Sequence, residues 1–207
     1  KVISLSDYST LATINTGNFP NSIAVSPDGT KALVTHMATI SVINLANNTV
    51  SATINAPCVA DTLYDIAISP DGNTAALPIL SGGCTQNLLG TISLATNVIT
   101  AGPNLNTTAV PQGIAFTTDN ASVLITIGVT GTTIRRVTLA GGAVTTIMNT
   151  SSSFGFAAVP GGTEALISSG DGDTIKRLAL AGNTVPGSIA FASTQNWHNL
   201  AVTPAGG

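Results

Sequence analysis

The residues best able to do chemistry in this 207-residue chain are few, and they fall at matching places. Tyr64, Asp65, Gln112, Trp197 and His198 each come just before a short apolar run: Ile66-Ala67-Ile68, Ile114-Ala115-Phe116 and Leu200-Ala201-Val202. Together they offer one carboxylate, one imidazole and uncharged polar groups, a set suited to binding and short of a reactive constellation. A second group is basic. Arg135-Arg136 and Lys176-Arg177 supply four of the six Lys and Arg residues, and they form either an anion- or partner-docking ridge or local pairs with Asp171, Asp173 or Glu164.

Other chemistries find little material. A zinc site needs three or four N, S or carboxylate ligands brought together, and the two histidines, His36 and His198, sit far apart. Gly170-Asp171-Gly172-Asp173 resembles the opening of a calcium loop but lacks its later acid and glycine. The sequence therefore calls for no metal and no cofactor. There is no Gly-x-Ser-x-Gly elbow, no Gly-x-Gly-x-x-Gly unit and no P-loop. A glycosidase needs two acids across a cleft, and Asp61 and Asp65 are the one pair near the expected mouth.

Composition narrows the class. Hydrophobic residues make up 43% and charged residues 7%, against roughly 25% charged in an average domain. Such a chain buries a large core, and its surface polarity comes from Thr, Ser, Asn and Gly. With a net charge of −3 and six basic residues, a nucleic-acid surface is not expected. No run of about 18 apolar residues is present, so no membrane-spanning helix is expected. The composition suits a secreted, cell-surface or periplasmic protein, and any signal peptide is expected to have been removed ahead of Lys1.

The elements that place these residues come from a repeat. Ser26-Pro27-Asp28-Gly29 recurs as Ser69-Pro70-Asp71-Gly72, then as Thr117-Thr118-Asp119-Asn120, Val159-Pro160-Gly161-Gly162 and Thr203-Pro204-Ala205-Gly206, at steps of 43, 48, 42 and 44 residues. A period in the forties with several short strands is the mark of a β-propeller blade. In the first full period, strand A is Ile23-Ala24-Val25, strand B Lys31–His36, strand C Thr39–Leu45 and strand D Thr49–Ile54. Pro-Asp-Gly provides the hairpin turn. The reading is an all-β propeller of four-stranded antiparallel blades. Four blades are complete, at about 20–63, 64–110, 111–153 and 154–196, with partial blades at 1–19 and 197–207. Strand A lines the central channel, which puts Tyr64, Asp65, Gln112, Trp197 and His198 around its mouth.

The stretch "IAVSPDGTKALVTHMATISVINLANNTVSATI" resembles the YVTN-type β-propeller repeat in its Ser-Pro-Asp-Gly turn and its Thr-Ile-Ser-Val-Ile-Asn…Asn-Thr-Val hairpin, while Leu33-Val34-Thr35-His36 replaces the aromatic and Asn of the usual strand. The resemblance implies the blade architecture. Across the family it points to surface-layer proteins, lactonase-like enzymes and subunits of redox enzymes. The sequence favours a binding or structural interaction module with a protein or glycan partner. The alternative is a lactonase-like hydrolase or a propeller subunit of a redox enzyme.

Two further expectations concern covalent chemistry. Cys58 and Cys84 fall in connections that leave an antiparallel blade on the same face, so they are expected to pair in an oxidising compartment. Asn47, Asn106, Asn120 and Asn149 head Asn-x-Ser/Thr motifs in turns or loops. Finally, residues 2–14 read as strands C and D and residues 197–207 as strand A alone. The chain is therefore expected to be a segment of a longer propeller, with remaining blades or a partner covering its end faces.

Overall fold

A computed structural model describes residues 1–57, 63–80, 87–128, 132–150, 155–159, 163–169, 174–190 and 200. The described residues contain strands and turns and no helix. Four four-stranded antiparallel sheets follow one another along the chain. Blade 1 holds β3 (Ile23–Val25), β4 (Lys31–Thr35), β5 (Thr39–Asn44) and β6 (Thr49–Asn55). Blade 2 holds β7 (Ala67–Ile68), β8 (Thr74–Ile79), β9 (Leu88–Ser93) and β10 (Val98–Asn104). Blade 3 holds β11 (Pro111–Phe116), β12 (Ser122–Ile127), β13 (Thr132–Thr138) and β14 (Val144–Thr150). Blade 4 holds β15 (Phe156–Ala158), β16 (Glu164–Ser169), β17 (Thr174–Ala179) and β18 (Thr184–Ala190). Ahead of them, β1 (Val2–Ile3) and β2 (Thr10–Ala12) form a two-stranded sheet. This is the all-β propeller architecture read from the repeat.

Local sequence explains each hairpin. In blade 1 the Ser26 hydroxyl donates to Asp28 Oδ1 at 2.5 Å and accepts the Lys31 N–H at 2.9 Å, while Gly29 takes φ +68°. Blade 2 repeats this with Ser69, Asp71 and Thr74, and Gly72 at φ +73°. Blade 3 uses Thr117, Asp119 and Ser122, with Asn120 at φ +59°. A worn copy of the motif thus keeps all three working parts: a hydroxyl, a carboxylate and a residue that tolerates positive φ. These bonds favour the ionised carboxylates. The Ser26 hydroxyl, then the Thr30 N–H and hydroxyl, hold the Asp28 carboxyl below its ordinary range. Ser69 and Asn73 do the same for Asp71, and Thr117 and Ala121 for Asp119. At the C–D hairpins of blades 1, 2 and 4, Asn48, Asn97 and Asn183 occupy the left-handed region.

The core lies between blades, which is why both faces of the inner strands are apolar. Leu33, Ile40 and Val42 of blade 1 pack with Ile66, Leu77 and Ile92 of blade 2. Ala76 and Leu89 of blade 2 pack with Ile114, Phe116 and Val123 of blade 3. Leu124 and Ile134 of blade 3 pack with Ala165, Ile167 and Leu178 of blade 4. No blade buries its faces alone, as repeat stacking requires.

Candidate channel-mouth site and exposed apolar surface

Three of the five residues expected at the channel mouth are described, and Asp65 is the informative one. It precedes the innermost strand of blade 2. Its Oδ1 accepts from Ser22 Oγ of blade 1 at 2.6 Å and from the Ile66 N–H at 2.9 Å. Its Oδ2 accepts from the Ile114 N–H of blade 3 at 3.1 Å. One carboxylate therefore joins three blades. Tyr64, beside it, is half-buried. Gln112 is the extra residue where the pairing of β11 with β12 shifts between Pro111 and Gly113, a β-bulge, and it is half-buried. Trp197 and His198 lie outside the described residues, as does Asp61.

The reason Asp65 is special lies in a second repeat that sequence reading missed. In blade 1 the Ser22 N–H donates to Thr35 Oγ1 at 3.0 Å. In blade 3 the Gly113 N–H donates to Thr126 Oγ1 at 2.8 Å, and in blade 4 the Gly155 N–H donates to Ser168 Oγ at 3.0 Å. The same register position in blade 2 is Pro78, which has neither a hydroxyl nor a backbone N–H. The local clasp is thus absent from blade 2. A carboxylate stands at the partner position and bonds across to the neighbouring blades instead. The signal was legible, since Thr35, Pro78, Thr126 and Ser168 align once the turns are superposed.

The basic residues also join blades. Arg135 donates back to the Leu105 carbonyl of blade 2. Arg136 donates to Ser122 Oγ at 3.1 Å and forward to the Leu180 carbonyl of blade 4 at 2.8 Å. Lys31 likewise reaches the Leu94 carbonyl of blade 2 at 2.5 Å. Arg177 forms a bidentate pair with Glu164, with contacts of 2.7 to 3.0 Å. Lys176 is half-buried on β17. The four basic residues are therefore not one ridge: Arg135 and Arg136 point to opposite junctions, and Arg177 is paired within its blade.

His36 is buried and serves the loop before blade 1. Its Nδ1 lies 3.1 Å from the Asn18 carbonyl and its Nε2 lies 3.1 Å from Ser41 Oγ, which donates to the Thr16 carbonyl at 2.8 Å. Asn21 completes the anchoring through its Nδ2, 3.0 Å from the Leu63 carbonyl. At the apex of this pinned loop Phe19 adopts φ +53° and is 74% exposed. A bulky residue rarely adopts that conformation, least of all before a proline, here Pro20. The loop thus presents an aromatic ring to solvent beside exposed Met37, the two lining one open cleft. Ile3, Leu11, Ile23 and Val25 are exposed on blade 1 and the hairpin before it. Among the described residues no three His, Cys, Asp or Glu side chains are grouped to hold a metal ion. Cys58, Cys84, Asp171 and Asp173 lie outside the described residues.

This architecture defines a β-propeller of four-stranded blades. No family model and no curated protein matches the chain. Among solved structures it is similar to hydrazine synthase of Kuenenia stuttgartiensis, at 17% identity and a TM-score of 0.73, with 86% of this chain and 57% of that chain covered. It is also similar to the β-propeller domain of Cps50 (Swd1) from Myceliophteria thermophila, at 9% identity and a TM-score of 0.64, with 86% and 58% covered. The chain spans less than two thirds of either neighbour, and at these identities the likeness carries the fold alone.

Proposed function

We propose that this chain is a binding or structural interaction module that engages its partner through the lateral apolar surface of blade 1. The observation that carries the reading is the contrast between two surfaces. The Asp65 carboxylate at the channel mouth is occupied by donors from three blades. Phe19, Ile23, Val25 and Met37, in contrast, stand exposed on a loop and sheet fixed from beneath. Large apolar groups held rigid in water favour association, because little side-chain or loop entropy is lost on docking. A protein partner fits this surface better than a glycan. The repeat belongs, in this reading, to the YVTN type, supported by the two Ser-Pro-Asp-Gly turns. The setting is extracellular, cell-surface or periplasmic, supported by the low charge, with Cys58 and Cys84 joined in a disulfide. The competing reading, a lactonase-like hydrolase or a propeller subunit of a redox enzyme, would have to work around Asp65. The likeness to hydrazine synthase lends that reading a fold and no residues.

Affinity capture from the extracellular fraction of the source tests this proposal. A partner retained by wild type and by Asp65→Asn, and lost with a Phe19→Asp/Met37→Asp/Ile23→Asp variant that melts like wild type, supports it. Turnover of a lactone or redox substrate that Asp65→Asn abolishes would replace it.

A further inference from the structure

His36 and Ser41 are both buried, and their contacts with the loop before blade 1 cannot all be hydrogen bonds while the imidazole is neutral. Nδ1 lies 3.1 Å from the Asn18 carbonyl oxygen, which can only accept. Nε2 lies 3.1 Å from Ser41 Oγ, and Ser41 Oγ lies 2.8 Å from the Thr16 carbonyl oxygen, which again can only accept. A chain of three contacts between two terminal acceptors needs three protons. A neutral imidazole and a hydroxyl carry two, whereas an imidazolium and a hydroxyl carry three.

Every arrangement of the neutral pair therefore breaks the chain at one place. If Nδ1 is bare, its lone pair faces the Asn18 oxygen. If the Ser41 hydroxyl turns to Nε2, the Thr16 oxygen loses its donor. If Nδ1–H and the hydroxyl serve the two carbonyls, the lone pairs of Nε2 and Oγ face each other across 3.1 Å. Gly17 covers the ring: its φ of +110° lays the backbone against the imidazole, with its Cβ position 3.7 Å from Cε1. A buried polar group left unmet there is costly. The charged state has its own cost, because no carboxylate is among the ring's hydrogen-bond partners. The two costs oppose each other, and one proton decides between them.

The charged groups on the elements around the ring lie elsewhere or are already bonded. Lys31, at the other end of β4, donates to the Leu94 carbonyl. Leu63 donates its N–H to the His36 carbonyl, and just beyond it the Asp65 carboxylate accepts from Ser22, Ile66 and Ile114. Lys1 lines a cavity with Thr16 that His36 does not line. Residues 13–20 and β5 carry no titratable side chain. Asp61 lies outside the described residues.

We infer that His36 is a proton-operated latch on the loop that presents Phe19. With the ring charged, the Thr16 and Asn18 carbonyls are both held and the loop is fixed to blade 1. Loss of the proton breaks one link and loosens residues 16–20. Fixing the loop and binding the proton favour each other. A partner that docks on Phe19 and Met37 therefore takes up a proton from solvent and binds more tightly as pH falls through the histidine range. That consequence rests on the interaction-module reading, and the latch itself does not.

The test is a titration of the ¹⁵N-labelled chain between about pH 8 and pH 5, the range in which histidine changes charge. The ring ¹⁵N shifts, identified by their loss in His36→Gln, report the protonation of each nitrogen. Amide-exchange protection at Gly17 and Asn21, bonded to Asn15 Oδ1 and to the Thr35 carbonyl at the two ends of the loop, reports how firmly the loop is held. The expected ring is neutral at the alkaline end and protonated on both nitrogens at the acid end. Protection should rise in step by about fivefold, the effect of one hydrogen bond. Ser41→Ala removes the link to Thr16 and keeps the one to Asn18. A neutral ring then satisfies what remains, and the rise should disappear. A ring of constant charge across the range, protection that does not follow the ring, a Ser41→Ala response equal to wild type, or a response abolished by Asp61→Asn would overturn the inference. If the latch fails while partner capture still depends on Phe19 and Met37, only this inference falls. If the latch works and capture fails, the interaction-module reading falls and the latch stands.

Discussion

Ser22 Oγ donates to Asp65 Oδ1 at 2.6 Å, and through this contact blade 1 is tied to blade 2 at the inner rim. The other carboxylate oxygen accepts the Ile114 N–H of blade 3. A residue that looks from sequence like the best ligand-binding acid is thus a cross-blade tie. Its substitution should register in stability first. Asp65→Ala leaves the Ser22 hydroxyl and two backbone N–H groups without their acceptor, and the expected cost is about 2 kcal/mol. Combining Asp65→Gly with Pro78→Thr should recover part of that loss, because it rebuilds the clasp used by Gly113 and Thr126. Chemical denaturation of wild type and the two variants checks this. An Asp65→Ala protein as stable as wild type would show that the tie contributes nothing.

Acid should weaken the hairpin turns. The carboxyls of Asp28, Asp71 and Asp119 are all held below the ordinary value of 3.8 by hydroxyl and N–H donors. A group whose folded pKa lies below its unfolded one contributes stability that is present above the unfolded value and lost as pH falls through the folded one. Melting temperature should therefore decline more steeply below pH 3.8 in wild type than in a variant with all three acids changed to Asn. Parallel profiles would refute the assignment. The buried hydroxyl of the same motif gives a check at neutral pH, where Asp71 is ionised. Ser69→Ala removes the acceptor of the Thr74 N–H and the donor to Asp71, and should cost about 1 kcal/mol.

Gly102 marks the tightest approach of the outer strand of blade 2. A Cβ there would lie 2.5 Å from the Leu89 carbonyl oxygen, a backbone atom that cannot swing aside. The pairing of β10 with β9 is already irregular between Ala101 and Asn104. Gly102→Ala should force the two strands apart and lower the melting temperature clearly, whereas Gly29→Ala, which meets nothing, should show only the smaller strain of its positive φ. Equal losses at the two positions would contradict the steric account.

Cys58 and Cys84 should be oxidised in protein recovered from an oxidising compartment. Thiol titration of unfolded, unreduced protein is expected to find no reactive thiol. Closing a loop of this size would stabilise the fold by about 3 kcal/mol in the chain-entropy account. Two reactive thiols would remove the disulfide from the proposal.

The blade and its turns were legible in sequence because both depend on local chemistry. Ser-Pro-Asp-Gly contains its own hydrogen-bond partners, and Val50, Ala52 and Ile54 alternate with Ser51 and Thr53 as a half-buried outer strand does. The observed strand ends differ from the expected ones by a residue: β4 stops at Thr35, and His36 turns inward to hold the preceding loop. The inner-rim bonds were harder to read, since Asp65 meets Ser22 and Ile114 from more than forty residues away in either direction. Arg135 and Arg136 show the same limit. Adjacent in sequence and alternating in direction, they serve different junctions, which only the register of β13 reveals. Phe19 had no periodic pattern to betray it, and its exposure follows from bonds made by Asn18 and Asn21 on either side.

The central claim is that partners bind the lateral face of blade 1 while the inner rim holds blades 1 to 3 together. Hydrogen-exchange mass spectrometry of the chain with its captured partner tests it most directly. The account predicts new protection across residues 19–25 and 34–37, with residues 64–66 and 111–115 unchanged. Protection confined to residues 64–66 and 111–115 would place the ligand at the channel mouth and contradict it.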